Sequence, residues 1–122
     1  MKVLICDHPD CMMPDHTLEI ETLKAGLGPD TDIEVYEYDE GRRDEFYARL
    51  ADADALLTAF VTMDAEAMKH AARLKVISLN STGFDQVDLN AATMRGIGVC
   101  PVGEYCTWDV SESAIAYMSA LN

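Results

Sequence analysis

Apolar and polar positions change rhythm repeatedly along this chain. Val3-Leu4-Ile5-Cys6 is a continuous apolar run, the pattern of a strand buried on both faces. After Pro14, Leu18, Ile20, Leu23 and Leu27 fall at helical spacing. Pro14 is tolerated in a first helical turn, and Gly26 with Gly28-Pro29 predicts the stop. Ile33 to Tyr38 alternates apolar and polar residues, which predicts a strand with one wet face at a sheet edge. Phe46, Tyr47 and Leu50 mark a second helix, and Ala55-Leu56-Leu57-Thr58 a third strand.

The alternation continues. Asp64 is placed to cap a helix carrying Ala67, Met68 and Ala71, and Val76-Ile77-Ser78-Leu79 follows as a fourth strand. Asp88 is placed to cap a helix that ends at Gly96. Ile97-Gly98-Val99-Cys100 is a fifth strand stopped by Pro101, and Val110, Ala114, Met118 and Leu121 stripe a last helix. Five strands alternating with helices predict an α/β fold, a parallel sheet with helices on both faces.

Composition narrows the function classes. The 122 residues fit one domain, and the longest apolar runs are only strand-sized, so no membrane span is expected. The net charge of −13 disfavours a nucleic-acid partner and an anionic membrane surface. Cys6, Cys11, Cys100 and Cys106 do not form a disulfide pattern in a chain with an adequate core and no visible signal peptide. Cys6 and Cys100 are expected to pack as small hydrophobes, all four thiols to stay reduced, and the location to be cytoplasmic.

Ligands of an open parallel sheet bind outside the carboxyl ends of its strands. Asn80-Ser81-Thr82-Gly83-Phe84-Asp85 follows the fourth strand, and its small residues let backbone N–H groups face an anion. From spacing alone, Gly83 reads first as a simple turn residue. Tyr105, after the fifth strand, reads either as a ligand contact or as a surface tyrosine. In Ala59-Phe60-Val61-Thr62-Met63, Phe60 or Met63 lines an apolar pocket or packs on neighbouring helices.

Cys6-Asp7-His8-Pro9-Asp10-Cys11 lacks the usual metal-ligand spacings, so no metal is expected. His16 and His70 read as solvated helix histidines. No Walker loop, Gly-x-Ser-x-Gly elbow or Gly-x-Gly-x-x-Gly occurs.

Thr82-Gly83-Phe84-Asp85-Gln86-Val87-Asp88, then Arg95-Gly96-Ile97-Gly98-Val99, then Tyr105-Cys106 with Val110-Ser111-Glu112, resembles the D-isomer-specific 2-hydroxyacid dehydrogenases. The likeness covers the order of elements over the whole chain and specific residues in about its last two-fifths.

The resemblance implies a flavodoxin-like substrate-binding domain over residues 1–106. Residues 107–122 would begin the first interdomain helix. It implies that the N–H groups of Thr82 and Gly83 hold a substrate carboxylate, with Thr82 also facing the nicotinamide of NAD. Tyr105 would contact substrate, and Phe60 would shape the side-chain pocket. The family's nucleotide-binding loop, arginine, glutamate and histidine fall beyond Asn122, so no catalytic residue is assigned. Where the family often has His, Ser113 stands.

The expected partner is a small 2-hydroxy or 2-oxo acid, and the chain alone is expected to be inactive. The alternative is a stand-alone binding module, with a homodimer formed through the last helix. A receiver-type signalling domain shares the fold class but lacks support, because the first strand does not end in a clustered acidic pocket with a later strand-end Lys.

Overall fold

A computed structural model describes residues 1–121. Five parallel strands form one sheet: β1 (Lys2–Asp7), β2 (Asp32–Glu37), β3 (Ala55–Thr58), β4 (Val76–Leu79) and β5 (Gly98–Pro101). Their order is β2-β1-β3-β4-β5, the flavodoxin-like arrangement, with β2 at an edge as its alternating pattern predicts. The helices are α1 (Thr17–Leu27), α2 (Arg43–Asp52), α3 (Ala65–His70), α4 (Leu89–Met94) and α5 (Thr107–Ala120).

Register fixes what each face carries. Leu4 pairs with Leu56, Leu56 with Ile77, and Ile77 with Val99, so these side chains share one face. Phe46 and Leu50 of α2, Ala67 and Met68 of α3, and Ala92 of α4 close over that face. The other face carries Val3, Ile5, Leu57, Val76, Ser78 and Cys100. It is buried at Val3 and Ile5, half-buried at Leu57, Val76 and Ser78, and exposed at Cys100.

The capping expectations hold. Asp64 accepts the Ala67 N–H at 2.7 Å and Asp88 the Ala91 N–H at 2.9 Å. Gly96, at φ +67°, follows α4 in a backbone region that side chains other than glycine's seldom enter.

The first helix departs from expectation at both ends. Pro14 lies before α1 rather than in its first turn. Asp15 sets the start, accepting the Thr17 N–H at 2.9 Å and the Thr17 hydroxyl at 2.6 Å. Gly26 is inside the helix, and Gly28, at φ +113°, ends it.

Cys100 is exposed rather than packed as a small hydrophobe, because β5 is the other edge strand and Cys100 lies on the open face. Cys6 is buried, and desolvation with the Asp7 charge beside it pushes its thiol up to about 12.

None of the α5 residues is buried, although Trp108, Val110, Ile115 and Tyr117 are large and apolar. Asn122, the last residue of the expected interdomain helix, lies outside the described residues. Among the described residues, no helix is long and apolar enough to cross a membrane.

Candidate functional site

The carboxyl ends of β1, β3, β4 and β5 are tied together by a chain of hydrogen bonds. It begins at Asp7, the last residue of β1, which is nearly buried. The Asp7 carboxylate accepts N–H groups from His8 at 3.0 Å, Ala59 at 2.5 Å and Phe60 at 3.2 Å. A buried carboxylate needs several donors to offset its lost hydration, and the turn after β3 supplies two of them. Thr58, also buried, accepts the Val61 N–H at 3.3 Å through its hydroxyl and tightens the same turn.

The next link joins β3 to β4. The carbonyl of Ala59 accepts the Gln86 side-chain amide and, at 3.4 Å, the Ser81 hydroxyl. Met63 donates to the Gln86 carbonyl and receives the Asp88 N–H, each at 2.9 Å, as in a short parallel bridge. The last link is the Val102 N–H, which donates to the Ser81 carbonyl at 3.1 Å. The loops after β3, β4 and β5 are thereby tied to one another.

Thr82 and Gly83 stand at the exposed crest of this edge. Ser81 folds its hydroxyl onto the Gly83 carbonyl at 2.8 Å, while the N–H groups of Thr82 and Gly83 donate to no acceptor among the described residues. A Cβ added at Gly83 would meet nothing within 4 Å, and its φ is not positive. Neither packing nor backbone conformation therefore demands glycine there. Close approach of a ligand is a remaining physical reason for it.

Beside the crest lies a cleft of about 550 Å³ above β1 and β3. Ile5, Ala59, Phe60 and Asn80 form its inner wall, and Met12 and Met13 form the wall contributed by the β1–α1 connection. Phe60 is 55% exposed and turns towards this space, whereas Met63 is buried in the core. The two residues thus take one each of the alternatives open in the sequence.

Of the sequence-derived site residues, Phe60 lines the cleft, and Thr82 and Gly83 sit on the adjoining loop. Tyr105 is 66% exposed beyond β5 and is not among the cleft's lining residues. Asp7, Ser81 and Gln86, which position the loops, were not singled out as site residues. The only signal was an acidic residue ending an apolar strand, next to a neighbouring strand's turn in a parallel sheet.

The histidines are partnered. His16 precedes α1 and its Nδ1 meets Glu19 at 2.5 Å, while His70 stacks on Tyr47 at 4.2 Å between centroids. No group of three or more His, Cys, Asp or Glu residues suited to a metal occurs among the described residues.

The described residues do not fit a dinucleotide on their own. The turn after β1, where a doubly wound nucleotide domain places its glycine-rich pyrophosphate loop, reads His8-Pro9-Asp10-Cys11. It offers an acidic side chain to an anionic group.

Comparison with known proteins shows the family of the chain. The profile of "D-isomer specific 2-hydroxyacid dehydrogenase, catalytic domain" matches residues 3–121. The chain is 36% identical over 97 residues to D-3-phosphoglycerate dehydrogenase of Mycobacterium tuberculosis, a match covering 79% of this chain and 18% of that protein. It is 40% identical over 80 residues to glyoxylate reductase of Thermofilum pendens, covering 65% of this chain and 24% of that protein.

Among solved structures, D-lactate dehydrogenase of Aquifex aeolicus, complexed with NAD and lactic acid, superposes with a TM-score of 0.73 at 25% identity. That match covers 98% of this chain and 33% of the Aquifex chain. The chain spans less than a third of the length of these curated relatives.

Proposed function

Because this chain belongs to the D-isomer-specific 2-hydroxyacid dehydrogenases, matching their catalytic domain over residues 3–121, we propose that it is the substrate-binding half of an NAD-dependent member. In this reading it takes part in interconverting a 2-hydroxy acid and a 2-oxo acid. The observation that carries the reading is the pair of unengaged N–H groups at Thr82 and Gly83, on a crest braced from Asp7 through Ala59 and Ser81. Two adjacent backbone donors without an acceptor suit a carboxylate, which accepts hydrogen bonds at both oxygens. Phe60 borders the adjoining cleft, where the acid's side chain would lie.

Thr82 is the proposed contact with the nicotinamide of NAD, and Tyr105 a further contact with substrate. NAD supplies and accepts hydride; the residues of this chain hold and orient the acid. No catalytic residue is assigned to the chain, and it is expected to be inactive alone. Residues 1–106 are the substrate-binding domain and 107–122 the start of the interdomain helix. The open sheet face and the exposed apolar side chains of α5 support a covering partner, whether a nucleotide-binding domain or a second copy of the chain.

The test is an amide-resolved NMR titration with 2-oxobutanoate. The Thr82 and Gly83 amides should shift in a saturable way, with a dissociation constant in the millimolar range, on the order expected for a contact worth about 4 kcal/mol. If those amides stay still while others move, the cradle is misassigned. NADH oxidation by the pure chain with any 2-oxo acid would refute the half-module.

A further inference from the structure

Resting on the reading just given, we propose that the cleft beside Thr82 and Gly83 selects a 2-oxo acid with an apolar, uncharged side chain and rejects one ending in phosphate or carboxylate. Size is the first observation. A cleft of about 550 Å³ is within the range of small-molecule sites, and an acid without a side chain would leave it almost empty. Lining is the second. Ile5, Met12, Met13, Leu18 and Phe60 give it apolar walls, and methionine adapts to branched aliphatic groups.

Charge is the third observation, and it decides what is excluded. The ionisable residues lining the cleft are Asp7, Asp10, Asp15, His16, Glu19 and Cys11, and no Lys or Arg is among its described lining residues. The β1–α1 connection supplies Asp10 and Asp15, and α1 supplies Glu19. His16 meets Glu19 and so offsets at most one of these carboxylates. Asp15 is held in its anionic form by the Thr17 hydroxyl and N–H, which lower its carboxyl from the usual value.

A terminal phosphate in this cleft would face several negative groups and find no guanidinium or ammonium to pair with. Recognition of phosphate relies on such partners or on converging N–H groups. The N–H groups of Ala59 and Phe60, two of the lining residues, are already spent on Asp7. An aliphatic side chain instead exchanges water for the two methionines, Leu18 and Phe60.

The test titrates the full chain with 4-methyl-2-oxopentanoate, 2-oxoglutarate and 3-phosphonooxy-2-oxopropanoate. The Met12 and Met13 methyl signals report the cleft, and the Thr82 and Gly83 amides report the cradle. The aliphatic acid should move both sets together. The two acids with anionic ends should bind at least about tenfold more weakly, a margin within reach of like charges a few ångströms apart.

Asp10 is exposed, and its replacement by Lys (Asp10→Lys) puts a cation at the cleft wall. It should bring the phosphorylated acid to within about threefold of the aliphatic one. The proposal is overturned if the phosphorylated acid binds as tightly as the aliphatic acid in the unaltered chain. It is also overturned if the aliphatic acid leaves the methionine methyls unmoved, or if Asp10→Lys leaves the ratio unchanged. Movement of the methyls without movement of the Thr82 and Gly83 amides would keep the cleft's preference and remove the carboxylate cradle.

Discussion

The two faces of the sheet are built to different standards. On one, Leu4, Leu56 and Ile77 are wholly buried under Phe46, Leu50, Met68 and Ala92, so α2, α3 and α4 close it. On the other, burial is complete only at Val3 and Ile5, and it fades through Leu57 and Val76 to an exposed Cys100. Helix α1 has no buried residue, and neither does α5. The closed face supplies most of the core. The open face carries the cleft at its carboxyl end, with Ile5 and Asp7 in its wall. Stability and candidate chemistry are thus divided between opposite sides of one five-stranded sheet.

Core truncation should separate the faces most sharply. Phe46 is fully buried and meets Tyr38 edge to face at 5.3 Å. Phe46→Ala should cost about 3–5 kcal/mol in urea unfolding. A loss under about 1 kcal/mol would mean that the α2 side is not the main core.

Asp7→Ala is next. It strips the acceptor from the N–H groups of His8, Ala59 and Phe60 and should cost about 2–4 kcal/mol, since unpaired buried donors are expensive. It should also broaden the amide signals of residues 80–86, because the Ala59 carbonyl anchors Ser81 and Gln86.

On α5 the expected effect is small. Trp108 is 82% exposed, so Trp108→Ser should change the unfolding free energy by less than about 0.5 kcal/mol, and its emission should be that of a water-exposed indole. A blue-shifted emission that becomes red on dilution would show that α5 is covered by a second copy.

The smallest effect concerns pH at the opposite edge of the sheet. Asp54 accepts the Lys2 N–H at 2.8 Å and pairs with Arg73 at 2.9 Å. The Lys2 N–H first, and Arg73 second, hold its carboxyl below the usual value. A depressed folded pKa gives stability that is present above the unfolded value, about 3.9, and lost as pH falls through the folded one. The Tm gap between the unaltered chain and Asp54→Asn should therefore be widest near neutral pH and shrink below about pH 4. A gap that widens on acidification would reverse the sign.

Much of this division could be read along the sequence. Continuous apolar runs announced buried strands, the alternation of Ile33 to Tyr38 announced an edge, and Asp64 and Asp88 announced their helices. Those signals are local, carried by periodicity and by caps within a few residues. The cleft is different. It forms where the β1–α1 connection meets the turn after β3, and its main brace links Asp7 to Ala59, 52 residues apart. No periodic pattern reports such a contact.

Cys100 was misjudged because an apolar strand run does not say whether the sheet ends there. Pro14 was misjudged because Asp15, capping Thr17, starts the helix later than proline spacing suggests. Thr82, Gly83 and Phe60 were visible because the β4 loop follows a recurrent residue pattern and the β3 loop follows an apolar strand. Gln86 lay within the same stretch without showing its role.

The central claim is that a 2-oxo acid binds with its carboxylate on Thr82 and Gly83 and its side chain in the cleft. Intermolecular NOEs from bound 2-oxobutanoate locate it directly. The proposal predicts NOEs from the acid's methylene protons to the Gly83 amide and from its methyl protons to the Phe60 ring. NOEs confined to residues away from the β3 and β4 loops would contradict it.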